Sequence, residues 1–394
     1  MNHIEKQRPQ RLLALDILRG ITIAGMILVN NPGSWGNIYA PLAHASWNGL
    51  TPTDLVFPFF MFIMGVSTYF SLRKYDFKLS ASAFWKILKR TIVIFAIGIA
   101  IAWLSRFLSR THSPEYTMWE AIMNFDEIRI LGVMPRLALC YGIGSIMALL
   151  IKRRSLPWVI GGMLVLYGII LLAGNGFDFA SHNVIARVDR AVLGEAHMYT
   201  SHLDGVELKF DPEGLLSTLP SIAHMLIGFM CGGLILSVKD NNLRINKLFI
   251  VGTILTFAGF LLDFGMPINK KVWSPTFVLT TCGLASSFLA LLIWILDIKG
   301  YRKWCGFFRA FGVNPLFMYV FGSVLSIILS NIRVAYAASD SGVISVKGWL
   351  YKAVWMPVAG GDATLASLFF ALTFVIAVWC VGYVLYRNKI YIKI

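Results

Sequence analysis

The chain is poor in charge. Asp, Glu, Lys and Arg make up 14% of its 394 residues, where a soluble domain carries about 25%. Acid is scarcer than base: 20 Asp and Glu against 35 Lys and Arg leave a net charge of +15. Five cysteines are present and none has CxxC spacing, so neither a zinc ligand set nor a disulfide framework is indicated. No P-loop, GxSxG elbow or HExxH helix occurs in a credible setting. Gly142-Ile143-Gly144 lies within an apolar run and reads as helix packing, not as a dinucleotide loop.

What the chain has in excess is apolar sequence. It is 57% hydrophobic, with a mean hydropathy of +0.69. Apolar runs of about 20 residues, the length that crosses ~30 Å of hydrocarbon, recur from end to end. They fall at 12–29, 55–72, 91–105, 131–151, 156–173, 216–238, 248–262, 277–296, 311–329 and 365–386. The pattern predicts an all-α polytopic membrane protein of about ten transmembrane helices, one domain over residues 1–394. The first run contains Asp16 and Arg19, and no small-residue cleavage site follows it. It reads as an uncleaved span rather than a signal peptide.

The charge of +15 invites a nucleic-acid reading, and its distribution argues against one. With the N-terminus in the cytoplasm and the spans alternating, about 22 of the 35 Lys and Arg fall in short cytoplasmic segments. Arg73, Lys74, Lys78, Lys86, Lys89 and Arg90 form one cluster. Lys152, Arg153 and Arg154 form another, and Arg387, Lys389 and Lys393 end the chain. The charge is an orientation signal, giving N-in and C-in. The elaborated loops, 30–50, 106–130, 175–215 and 330–364, then face outward, and elaborated loops carry function.

Polar residues at a membrane boundary are expensive and usually have a task. His44 lies in the first outward loop, ten residues before Asp54. It reads either as an interfacial histidine satisfied by backbone or as a functional base oriented by the carboxylate. Trp47 suits an interface anchor, Asn48-Gly49 a turn. Thr51 or Thr53 suits a helix cap, with Asp54 in the first turn. Asp16 and Arg19 share one helix face, as a structural pair or as part of a site. Arg136 lies inside the fourth run, where a lipid-facing charge costs at least ~2.5 kcal/mol; it should face protein, a cavity or a bound group. Pro315 should break the ninth span beside Asn314 and Tyr319. His224 sits mid-span, as a relay or a helix–helix hydrogen bond. His182, His197 and His202 match no familiar metal spacing. These residues alone leave an enzyme and a transporter both open.

Several motifs go further. They are Asp16…Arg19-Gly20, Val29-Asn30, His44-Ala45-Ser46-Trp47-Asn48-Gly49-Leu50-Thr51, and Asp54-Leu55-Val56-Phe57-Pro58 with Phe62-Ile63-Met64-Gly65. Others are Arg129-Ile130-Leu131-Gly132-Val133, Arg136-Leu137, Asp211-Pro212-Glu213-Gly214, Asn269-Lys270, Trp273-Ser274, Asn314 and Tyr319. Together they resemble the heparan-α-glucosaminide N-acetyltransferase family, the lysosomal enzymes and their bacterial relatives. Arg129 lacks the family's following Pro, and Pro135 and Pro220 replace its usual polar residues. The lysosomal members carry a further luminal domain and one more N-terminal span. The chain resembles the compact bacterial-type core, which implies the bacterial inner membrane.

The resemblance implies transfer of acetyl from cytoplasmic acetyl-CoA, a co-substrate, to a glucosamine-type amine on the far side of the membrane. Acyl transfer to a glycan hydroxyl and sugar or anion transport are the alternatives. The resemblance implies catalysis by His44 and Asn30, with Trp47, Asn48, Asp54, Asn269, Lys270 and Trp273 on the acceptor side. It places Arg136, Asn314, Tyr319 and Arg19 on the acetyl-CoA side. It implies no metal and no nucleic acid, a bilayer setting, an amino sugar or glycan end as partner, and a homodimer.

Overall fold

A computed structural model describes residues 12–338 and 342–392. Lys393, assigned above to the cytoplasmic end, lies outside them. The helices are α1 (Leu13–Val29), α2 (Val56–Leu72), α3 (Ala81–Arg110), α4 (Met118–Ile122) and α5 (Val133–Leu150). Then come α6 (Leu156–Ala173), α7 (Val184–Leu193), α8 (Thr218–Ser237), α9 (Asn241–Asp263) and α10 (Pro275–Ile293). The last are α11 (Cys305–Val313), α12 (Pro315–Asn331), α13 (Val346–Trp349), α14 (Met356–Val358) and α15 (Ala363–Arg387). Two small antiparallel hairpins complete the fold, β1 (Thr200–Leu203) with β2 (Val206–Lys209) and β3 (Arg333–Ala335) with β4 (Val343–Ser345).

Among the described residues, eight helices are long and apolar enough to cross a membrane, or nine if the bent pair α11–α12 forms one span. The 17 residues of α1 rise about 25 Å and sit on the first apolar run. A helix is the expected form because lipid offers the backbone no partner, so each segment must satisfy its own N–H and C=O groups. Side chains hold the exposed ends: Ser80 accepts from Ala83 N at 3.2 Å and Asp240 from Leu243 N at 2.6 Å.

Two spans outrun their apolar runs. α3 has 30 residues and α9 has 23. Lys86, Lys89 and Arg90 therefore stand on the first turns of α3, not in a loop. Charge ends an apolar pattern without ending a helix, since Lys and Arg are good helix formers. The ninth run is also different in detail: α11 and α12 meet at 85°. Pro315 has no N–H to donate, and its ring disfavours helical geometry at Asn314, whose φ and ψ are −126° and 56°.

The long loops converge. Trp47 donates to Phe177 O at 2.6 Å, Gly49 N to Ile268 O at 2.7 Å, and Gly33 N to Ser367 O at 3.3 Å. Segments 30–55, 111–132, 174–217, 264–274, 332–338 and 342–362 thus share one loop-rich face. The opposite face has short connections braced by arginine. Arg153 lies 3.8 Å over the Phe77 ring, and Arg244 caps the carbonyls of Ile235 and Val238.

The α2–α8 crossing anchors the core. A Cβ on Gly65 would lie 2.0 Å from Met225 O, and one on Gly228 would lie 2.2 Å from Phe62 O. The two backbones touch because neither glycine has a side chain, the packing that membrane helices favour. Gly228→Ala is expected to lower stability by about 1–3 kcal/mol, read as a lower apparent melting temperature in detergent. An unchanged melting curve would show that the crossing has slack.

Candidate functional site

Three polar side chains from distant segments meet on the loop-rich face. His44 Nδ1 lies 2.7 Å from Asp54 Oδ1. The Lys270 amine lies 3.4 Å from the same oxygen and 3.0 Å from His44 Nδ1. Asp54 is 1% exposed and His44 is 42% exposed, so a buried carboxylate backs a histidine open to solvent.

Local sequence explains the arrangement. Thr51 and Asp54 form a capping box at the 3₁₀ turn Pro52–Leu55 that leads into α2. The second oxygen of Asp54 accepts from Ala45 N at 3.0 Å and Thr51 N at 3.1 Å. Thr51 Oγ1 reaches both Ala43 O at 2.7 Å and Asp54 Oδ2 at 3.0 Å. With Oδ2 so occupied, Oδ1 is left to take the Nδ1 proton of His44. In that tautomer Nε2 is the acceptor, and the Lys270 amine lies 3.5 Å from it. Burial pulls the Lys270 amine below the usual lysine range, against the carboxylates of Asp54 and Glu213.

The Asn269–Trp273 turn holds the other side. Asn269 is fully buried; its Nδ2 donates to Asn48 Oδ1 at 3.0 Å, and its own Oδ1 accepts from Val272 N at 3.1 Å. Trp273, at a left-handed φ of 53°, is 1% exposed. Trp47 is also buried, edge-on to Phe179 and Phe210 at 5.1 and 5.4 Å. It pins the His44 loop to the 174–217 segment and does not serve as an interface anchor, because its ring finds protein partners first.

A second polar group lies alongside. Arg129 donates to both oxygens of Asp211, at 2.9 and 2.6 Å, and to Glu213. Burial alone would raise the Glu213 carboxyl; Arg129, Arg136 and Lys270 together hold it below the usual range. Glu213 is thus the anion shared between Arg129 and the His44 group. Arg136 is fully buried, as the depth penalty requires. It donates to Gly214 O at 2.9 Å and to Ser217 Oγ, with its guanidinium 5.2 Å over the Trp273 ring. His224 is fully buried and packs its ring 5.8 Å from Trp273.

The remaining site residues are scattered. Asn30 ends α1 with an exposed side chain, and no contact among the described residues joins it to His44. Arg19 pairs with Asp16 at 3.2 Å and donates to Ser67 Oγ at 2.8 Å, tying α1 to α2. Asn314 holds the C-terminal segment through Ile390 O at 2.8 Å and Ile392 N at 2.9 Å. Tyr319 lines a large cavity beside α3 and α5. The outer-loop histidines go to three separate places: His182 to Asp178, His197 to Ile128 O and His202 to Glu207. Asp211 and Glu213 had no assigned role in the sequence. Their signal was the short acidic motif Asp211-Pro212-Glu213, without any indication of its partner 82 residues away.

The same turn holds a pH-sensitive carboxyl. Asp189, fully buried, accepts from Leu215 N at 2.8 Å, yet burial pushes its pKa up from 3.8 to about 6. The folded state therefore binds the proton more tightly than the unfolded chain. The contribution of Asp189 to stability is fully present below about pH 4 and is lost as pH rises through about 6, a change on the order of 3 kcal/mol. Asp189→Asn is expected to flatten this slope in melting curves taken at pH 4.5 and pH 7. An unaltered slope would show that another group carries it.

The family model described as heparan-alpha-glucosaminide N-acetyltransferase, catalytic, matches residues 11–261, which include His44, Asp54, Arg129, Arg136 and Glu213. The human heparan-alpha-glucosaminide N-acetyltransferase is 29% identical over 371 residues, covering 79% of this chain and 52% of its own. The mouse protein of that name is 27% identical over 370 residues, covering 80% and 54%. The chain spans about half the length of these relatives. The match takes in more than half of this chain, so the protein belongs to the heparan-alpha-glucosaminide N-acetyltransferase catalytic family.

Proposed function

We propose that this protein is a transmembrane N-acetyltransferase that moves acetyl from acetyl-CoA to the free amine of a glucosamine-type sugar. The observation that carries the reading is His44, with Nδ1 on the buried Asp54 carboxylate and its ring open to solvent. An amine must be neutral to attack a thioester, and amines of this kind titrate near ~8, so an imidazole base is matched to the task. The nitrogen attacks the acetyl carbon and a C–N bond forms. Its proton passes to His44 Nε2, the C–S bond breaks, and the thiolate takes the proton from His44. Asn30 is the proposed donor to the oxyanion. Lys270 and Glu213 bracket the reacting groups with opposite charges. Arg136, Asn314, Tyr319 and Arg19 are proposed for the acetyl-CoA side.

The proposed sidedness is N-in and C-in, in a cytoplasmic membrane, with the basic short-loop face toward the donor's phosphates. Tyr39→Cys and His182→Cys should then label from outside intact cells with an impermeant maleimide. Protection of both would reverse the topology. The activity test is purified protein with labelled acetyl-CoA and a panel of free amino sugars, N-acetylated sugars and neutral sugars, with products read by mass spectrometry. Acetylation confined to free amines is expected. Equal labelling of N-acetylated sugars would favour a hydroxyl acceptor, and no labelling with no CoA bound would favour a transporter.

A further inference from the structure

A cavity of about 770 Å³ lies between α3, α5 and α12, and none of His44, Asp54 and Lys270 lines it. Its wall divides by chemistry. Arg106, Glu127, Arg129, Thr200, His202 and Lys209 give one part charge and hydrogen-bonding groups. Gly98, Ile101, Ala102, Met134, Pro135 and Ile327 give the other part an apolar surface. α3 lines it from Arg106 to Gly98 and α12 from Ile327 to Tyr319, each a run of about 12 Å along the helix axis. The cavity is therefore a slot running into the membrane from the loop-rich face.

Both long walls have few fully buried residues. The last fully buried residue of α3 is Ile94, and that of α12 is Gly322. Beyond these points both helices are mostly half-buried, with Gly98 still packed on Met134 and Pro135 and Leu325 packed on a second core cluster. The polar part includes Arg129, which binds Asp211 and Glu213 on the loop-rich face. A free sugar would leave the apolar wall unfilled. A bare hydrocarbon chain would leave Arg129 and its polar neighbours without a ligand. An amphiphile satisfies both parts.

We propose that this slot binds a membrane-borne acceptor, an amino sugar joined to a lipid chain. Its chain lies along α3 and α12, and its sugar leaves the slot past Arg129 on the side of Glu213, the anion that Arg129 binds. The inference rests on the acetyl-transfer reading and names the acceptor's class.

The test compares two acceptors, glucosamine and dodecyl glucosaminide, with the full-length protein in phospholipid nanodiscs. The lipid-linked acceptor is expected to show a KM at least tenfold lower. Ala102→Trp and Ile327→Trp narrow the slot from two different helices, so one variant suffices if the other fails to fold. Each should raise KM for dodecyl glucosaminide tenfold or more and leave KM for glucosamine unchanged. Native mass spectrometry should show dodecyl glucosaminide retained by the wild type and lost from the variants. Unchanged KM for dodecyl glucosaminide in a folded variant overturns the slot assignment while acetylation of glucosamine stands. A parallel rise for both acceptors also overturns it, because it marks a shared distortion. Acetylation of neither acceptor by the wild type defeats the acetyl-transfer reading, and this inference with it.

Discussion

Replacing His44 with alanine is expected to reduce acetyl transfer by about 10²–10⁴, the contribution of a positioned base. The fold should survive. His44 is the exposed member of its cluster, and its removal leaves Asp54 with Lys270 and three donors from Ala45 and Thr51. Exposed substitutions away from packing usually change stability by under ~0.5 kcal/mol, so the melting temperature should stay close to that of the wild type. Binding of acetyl-CoA should also persist, because His44 lies on the loop-rich face and the donor's phosphates are assigned to the basic one. The variant further separates two routes. If acetyl passes through His44 as a covalent intermediate, the wild type releases CoA without any sugar and keeps label on the imidazole. If donor and acceptor react directly, it does neither. The geometry favours the direct route, since Asp54 sets Nε2 as a proton acceptor. Near-wild-type turnover by His44→Ala would end the assignment and make transport the better account.

The sequence carried local information well and distant information poorly. His44 and Asp54 are ten residues apart across one turn, and the capping pattern at Thr51 placed the carboxylate at the start of α2. Their pairing was therefore legible. Lys270 comes from 226 residues away, and only the family resemblance pointed to it. The Arg129–Asp211–Glu213 group shows the same limit, because no periodicity links segments that meet only after the helices pack. The apolar runs found the spans, since lipid demands them. They misplaced the ends of α3 and α9 because the charged first turns remain helical. Pro315 marked the break in the ninth run but not its 85° angle, which is set by packing against α1 and α15 and by the C-terminal segment that Asn314 holds. Trp47 was misread for a related reason: an aromatic at the membrane edge anchors to lipid only if no protein pocket claims it, and Phe177, Phe179 and Phe210 do.

Asp54→Asn should be nearly as damaging to activity as loss of His44, for a reason distinct from charge alone. The amide must choose an orientation. Ala45 N and Thr51 N both donate to one oxygen of Asp54, so the amide oxygen is held there and the NH₂ group turns toward His44 Nδ1. Nδ1 must then accept, which moves the imidazole proton to Nε2. The base now presents a proton where it should present a lone pair. A fall in kcat of about 10²–10⁴ is expected, with KM for the acceptor little altered. The helix cap is retained, so the melting temperature should drop far less than in Asp54→Ala. That variant orphans two buried backbone donors at about 1–3 kcal/mol each. The side-chain NMR signals of a ¹⁵N-histidine-labelled protein give a readout that a purely structural role would not move. The Nε2 resonance should shift from the acceptor-type position to the protonated one in Asp54→Asn. Full activity with the Nε2 resonance unshifted would show that Asp54 only caps α2, and that the tautomer of His44 is set elsewhere.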